Sequence, residues 1–177
     1  VNGAQDAMSV PYAGLGQSTD AVFSPDGAHV YVVSPVTDSL ATLSLDSGML
    51  LMAELEQEGT DDPLDAGPEV TGLTNPEDVL VSADGNHVYV AASGDSAITH
   101  FTRDSDSSSG SFGRLSFVAS YTDALEPALD SVNRIFASSD GTALYAVSAQ
   151  TGMVVGFDVD GRGALTVAVV SPTAEPG

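Results

Sequence analysis

A chain of 177 residues with four arginines, no lysine and 25 acidic residues carries a net charge of -21 at pH 7. Such a surface repels nucleic acid and anionic lipid and argues against a phosphate-binding role. Cysteine is absent, which excludes disulfides and thiolate metal sites and leaves the redox compartment open, and no apolar run approaches the ~20 residues of a membrane helix.

The apolar content, 42%, suffices for a real core. Acidity combined with so few basic residues fits a salty extracellular setting, marine or halophilic, where counterions screen self-repulsion. Ordinary acidic secreted proteins share the same balance. Secretion or display at the cell surface is therefore the expectation. The first residue is Val1 rather than Met, which suggests a processed or excised piece.

Residues 1–19 contain Pro11, Gly14 and Gly16 and resemble the tail of a preceding unit, with Ala7 to Tyr12 as its last strand. From Asp20 the pattern is regular. Ala21 to Ser24 reads as a short strand, Pro25-Asp26-Gly27 as a turn, and His29 to Ser34 as a strand rich in Val and Tyr. The Asp-Gly pair predicts a tight hairpin with positive φ angles. Ser39 to Leu45 alternates as a third strand. Met49 to Glu58 forms a fourth, with Glu54, Glu56 and Glu58 on one side. Carboxylates at this period-two spacing are expected on a solvent face, where they deter edge pairing; a three-carboxylate metal site is the sharper alternative.

Residues 59–77 form a linker dense in Gly, Pro and acid. The cycle then returns, with strands expected near 78–82, 87–93, 96–103 and 113–121. After a second linker, Thr122 to Val132, it returns again near 134–138, 143–148, 153–159 and 164–170. The Ser-x-Asp-Gly anchors fall at Asp26, Asp84 and Asp140, a period of 58 and then 56 residues. Self-similarity of this size denotes repeat architecture. An all-β fold follows, made of three four-stranded antiparallel units: 20–77, 78–133 and 134–177, with 1–19 ending a preceding blade or closing the ring. Such units match β-propeller blades better than an immunoglobulin-like sandwich, which has no reason to repeat one turn at this interval.

The strings SPDGAHVYVVSPVTDSLATLSLD, SADGNHVYVAASGDSAITHFTRD and SSDGTALYAVSAQTGMVVGFDVDGRGALT resemble the YVTN and lactonase-like β-propeller repeat over about Asp20 to Val170. These motifs specify a blade more than a function. The resemblance implies a propeller that is usually seven-bladed, so three blades would be a partial ring or one completed by association. Further blades from a parent chain or a second copy are the expected partners, with no nucleic acid and no membrane insertion.

Candidate chemistry lies mostly in residues the copies do not share. Asp20 and Asp78 open equivalent first strands, and Arg134 takes the same place in the third unit. Asp20, Asp78 and Arg134 are thus candidate channel or ligand residues, with Asp78 and Arg134 the catalytic candidates. His29 and His87 are repeat equivalents with an expected structural role, and His100 is expected at the surface. Asp104 and Asp106 sit in a D-x-D-x-S turn and, with Asp61, Asp62 and Asp65 of the first linker, are candidate ligands for calcium; no other cofactor is expected. The calcium-loop positions after them hold Ser109 and Leu115 instead of Gly and Glu. The leading expectation is a noncatalytic scaffold or binding module. The alternative is a hydrolase acting on a small lactone, in which acid and arginine at the channel mouth activate water and polarise a carbonyl.

Overall fold

The computed structural model describes residues 15–60, 68–122 and 127–172. It contains three four-stranded antiparallel sheets. The first comprises β1 (Asp20–Phe23), β2 (His29–Ser34), β3 (Ser39–Asp46) and β4 (Met49–Gln57). The second comprises β5 (Pro76–Val81), β6 (His87–Ala92), β7 (Ala97–Arg103) and β8 (Leu115–Thr122). The third comprises β9 (Val132–Ala137), β10 (Ala143–Ser148), β11 (Met153–Val159) and β12 (Leu165–Pro172). Each is a meander in chain order, the arrangement of propeller blades. A single turn of 3-10 helix, Pro127–Leu129, interrupts the second linker. The strand expected at Ala7 to Tyr12 lies outside the described residues.

Each Ser-x-Asp-Gly anchor closes the hairpin between the first and second strands of its blade. Ser24 Oγ donates to Asp26 Oδ1 at 2.6 Å, the Ala28 N–H donates to the same oxygen at 2.9 Å, and the His29 N–H donates to Ser24 Oγ at 3.0 Å. The second and third blades repeat this network around Ser82 and Asp84 and around Ser138 and Asp140. Only the glycine takes a positive φ, 71° at Gly27, 76° at Gly85 and 72° at Gly141. The aspartate contributes as a side-chain acceptor instead of a left-handed residue, which differs from the hairpin expected for Asp-Gly.

The blades stack through two apolar layers. Between the first and second lie Tyr31, Val33, Leu40, Val88, Val90 and Phe101, all buried. Tyr89, Ile98, Leu129, Ile135, Leu144 and Phe157 fill the layer between the second and third. Strand β1 packs on β5 and β5 on β9, so the first strands of the three blades lie side by side.

Blade stacking overturns two expectations. Glu54 and Glu56, expected in solvent, are 6% and 2% exposed, because β4 is covered by the next blade. The Glu54 carboxylate accepts the Leu115 N–H at 2.7 Å, joining the outer strands of two blades. Likewise His100, expected at the surface, is fully buried on β7. Glu58 accepts the Leu73 N–H at 2.6 Å, Asp95 that of Thr74 at 2.8 Å and Asp38 that of Asn75 at 2.8 Å. Three successive linker amides are therefore each held by a carboxylate. These contacts give the acidic side chains structural work that period-two reasoning missed.

Candidate functional site at the channel end

Asp20, Asp78 and Arg134 begin or nearly begin the first strands of their blades, and strand convergence brings them together. Asp20 Oδ2 accepts the Val79 N–H at 3.2 Å, and Asp78 Oδ2 accepts the Ile135 N–H at 2.7 Å. Each carboxylate thus caps the residue following its own repeat equivalent in the next blade. Arg134 ends the series: its Nη1 lies 3.5 Å from Asp78 Oδ1, with the arginine side chain 61% exposed and that of Asp78 14%. Burial raises the Asp78 carboxyl above its ordinary range; the Ile135 N–H opposes this, while the negative charge of Asp20 beside it adds to it, and Arg134 pulls it down again. The resulting cluster offers an acceptor poised to take a proton and an exposed guanidinium able to bind developing negative charge.

At the opposite end of the strands, a different constellation seals the first interblade seam. The Arg103 guanidinium meets Asp26 Oδ2 at 2.7 Å, Tyr31 Oη at 2.6 Å, the Gly85 carbonyl at 3.1 Å and His29 Nδ1 at 3.2 Å. Phe112 covers it, 5.3 Å from ring centroid to Cζ. The Tyr31 hydroxyl donates onward to the Gly113 carbonyl at 2.8 Å. Burial works against ionisation of Asp26, but hydrogen bonds from Ser24, Ala28 and Arg103 outweigh it and hold the carboxyl at about 2. His29 is pushed below its ordinary value by burial and by the Arg103 charge. Sequence reading passed over Arg103, although one signal was available: it stands where the other repeats have Leu45 and Val159.

The turn at 104–114 satisfies its own carboxylates. Asp104 accepts from the Asp106 N–H at 3.0 Å and Ser111 Oγ at 2.7 Å, and Asp106 accepts from the Ser108 N–H at 2.9 Å and its Oγ at 2.7 Å. These bonds lower both carboxyls. Among the described residues no three acidic or histidine side chains gather as a metal site. Asp61, Asp62 and Asp65 lie outside the described residues.

Three meander sheets whose first strands pack side by side, with Asp20, Asp78 and Arg134 at or near their starts, have the arrangement of β-propeller blades. The chain belongs to the family described as lactonase, 7-bladed β-propeller, whose model matches residues 19–123. This membership overturns the expectation of a noncatalytic scaffold and favours its hydrolase alternative. No protein of curated function matches the chain. Among solved structures it is similar to a periplasmic gluconolactonase of Pseudomonas aeruginosa, at 18% identity and a TM-score of 0.72, covering 94% of this chain and 43% of that one. It is also similar to putative 6-phosphogluconolactonases of Bacteroides uniformis (20% identity, TM-score 0.68, 88% and 41% covered) and Bacteroides fragilis (19%, 0.66, 87% and 38%). At this identity the likeness concerns the fold. The chain spans about two fifths of the length of these structures.

Proposed function

We propose that the chain contributes part of the reacting centre of a hydrolase acting on a small, uncharged lactone. The observation that carries this is the Asp78 and Arg134 pair at 3.5 Å, set at the channel end of a chain in the lactonase family. Asp78 takes a proton from a water whose oxygen attacks the lactone carbonyl carbon, and Arg134 stabilises the oxyanion that forms. Collapse of the tetrahedral intermediate breaks the bond from the acyl carbon to the ring oxygen. The proton held by Asp78 passes to that oxygen, and a hydroxy acid leaves.

An unphosphorylated substrate follows from charge. Of the four arginines, Arg103 is buried in the opposite seam, and Arg114 and Arg162 stand in the turns of that same end. Among the described residues, Arg134 is left as the one arginine at the channel end, beside Asp78. A phosphate dianion would meet more negative charge than positive there.

Complete activity requires the remaining blades. The first sheet exposes Met49, Leu50 and Leu51 on its outer strand, and the third exposes Phe136, Val169 and Val170. Tyr31 and Tyr89 each donate to a carbonyl of the following blade, whereas their third copy, Tyr145, stacks on Phe136 at 5.5 Å. Further blades, from a longer chain or a second copy, would cover these faces. The test is hydrolysis of gluconolactone by the assembled protein, followed by proton release. Loss of turnover in both Asp78→Asn and Arg134→Ala supports the reading, and undiminished turnover in either sinks it.

A further inference from the structure

The second interblade seam repeats the first with its cation removed. Val159 follows Asp158 on β11 as Arg103 follows Thr102 on β7: the Val159 N–H donates to the Thr142 carbonyl at 2.9 Å, as that of Arg103 does to Asn86 at 2.8 Å. Around it the acceptors of the first seam recur. Asp84 stands for Asp26, Tyr89 for Tyr31 and Gly141 for Gly85. The Tyr89 hydroxyl donates to the Gly163 carbonyl at 2.7 Å as Tyr31 does to Gly113.

Two further exchanges open the space. Arg162, exposed, takes the place of the covering Phe112, so the aromatic lid is missing. His100 occupies the position of Thr42 opposite the tyrosine, and its Nε2 lies 3.1 Å from His87 Nδ1. That contact draws His87 away from the role His29 plays toward Arg103. The result is a cleft of about 580 Å³ lined by Asp84, His87, Asp140, Gly141 and Asp160. In the first seam the corresponding positions bind a guanidinium through four acceptors. In the second, Val159 supplies no cation to them, and the exposed Arg162 stands beside Asp160 at the mouth.

We propose that this cleft between the second and third blades is a binding site for the guanidinium group of an external ligand, which occupies the place of the Arg103 side chain one seam away. Asp84, whose Oδ2 accepts Asn86 Nδ2 at 2.9 Å in the free site, and the Gly141 carbonyl accept its N–H donors, and Asp140 and Asp160 add negative charge at the mouth. A planar, multidentate donor suits this acceptor geometry better than a spherical ammonium. The site lies at the end of the strands opposite Asp78 and Arg134, and its existence does not depend on lactone hydrolysis.

The experiment is a titration of the folded chain at constant ionic strength, read from the amide resonances of Gly141, Gly161 and Gly163. Guanidinium chloride and agmatine are the probes, with tetramethylammonium, which has no N–H donor, as control. A capped arginine tripeptide beside agmatine distinguishes an arginine presented by a polypeptide from a free small molecule, and tighter binding of one names the source. Saturable, one-site shifts are expected, abolished in Val159→Arg, which carries its own plug. Asp84→Asn, in an exposed turn and with one side-chain oxygen left for the Asn86 N–H, should weaken binding by about tenfold and stands in if Val159→Arg does not fold. Equal responses to guanidinium and tetramethylammonium, titration of both variants like the parent, or absence of saturation would each overturn the proposal.

Discussion

Arg103 of the second blade and Asp26 of the first are 77 residues apart in sequence, and their side chains meet at 2.7 Å with the guanidinium 1% exposed and the carboxylate 37%. The pair is embedded in bonds to Tyr31 and Gly85, so removing the cation strands several acceptors at once. Arg103→Met keeps much of the apolar stem and should cost about 2–4 kcal/mol, the partial exposure of Asp26 keeping the figure below that of a fully buried pair. Urea unfolding measures it; a loss below about 0.5 kcal/mol, the range of an ordinary surface substitution, would show that the seam does not depend on the pair.

Glu54 supplies a second, independent tie across the same seam. Glu54→Ala leaves the buried Leu115 N–H without its acceptor and should destabilise by about 1–3 kcal/mol, whereas Glu54→Gln retains an oxygen in place and should cost less. Equal losses for the two variants in the same unfolding assay would mean that charge, and not the hydrogen bond at 2.7 Å, sets the contribution.

His100 predicts a window of acid sensitivity. Burial, with His87 beside it, lowers its pKa from 6.5 to about 4. The unfolded chain therefore binds the proton more readily than the folded one between these values, and stability rises with pH there. The contribution is complete above pH 6.5 and is lost as pH falls toward 4, by about 3 kcal/mol from this group. Asp26, held at about 2 against an ordinary 3.8, contributes separately and only at lower pH. His100→Phe should flatten the upper window in unfolding free energies measured across pH 4–7; an unchanged slope would remove His100 as its source.

Strand positions were legible because they rest on local chemistry. The Ser-x-Asp-Gly network spans six residues, and β2, β10 and β11 begin and end at the residues where sequence alternation places them. Period-two reasoning failed at Glu54 because the face it assigned to solvent lies against the next blade, and His100, read as an isolated surface residue, is buried against Tyr89 and His87. The Arg103 seam was hidden for a different reason: its partners Asp26, Tyr31 and His29 belong to another repeat, and no local pattern links them. Comparing copies located Arg134 as the odd residue at its position. The same comparison at Leu45, Arg103 and Val159 would have found the seam.

The channel end makes the sharpest kinetic prediction. Asp78 must be ionised to accept a proton from water, and its carboxyl lies above the ordinary range through burial and the adjacent Asp20 charge. The acid limb of kcat/KM should therefore fall above the pH of an unperturbed aspartate, about 3.9. Asp20→Asn removes the neighbouring negative charge yet keeps an oxygen for the Val79 N–H. It should move that limb to lower pH, because one of the two influences raising Asp78 is gone while Arg134 remains. Loss of the Arg134 cation acts in the opposite sense, so Arg134→Gln should move the limb upward as well as reduce kcat. Opposite displacements in the two variants, read from pH profiles of lactone hydrolysis by the assembled protein, identify Asp78 as the titrating base. Displacement in the same direction, or none, would assign the limb to another group and separate the carboxylate pair from the chemistry.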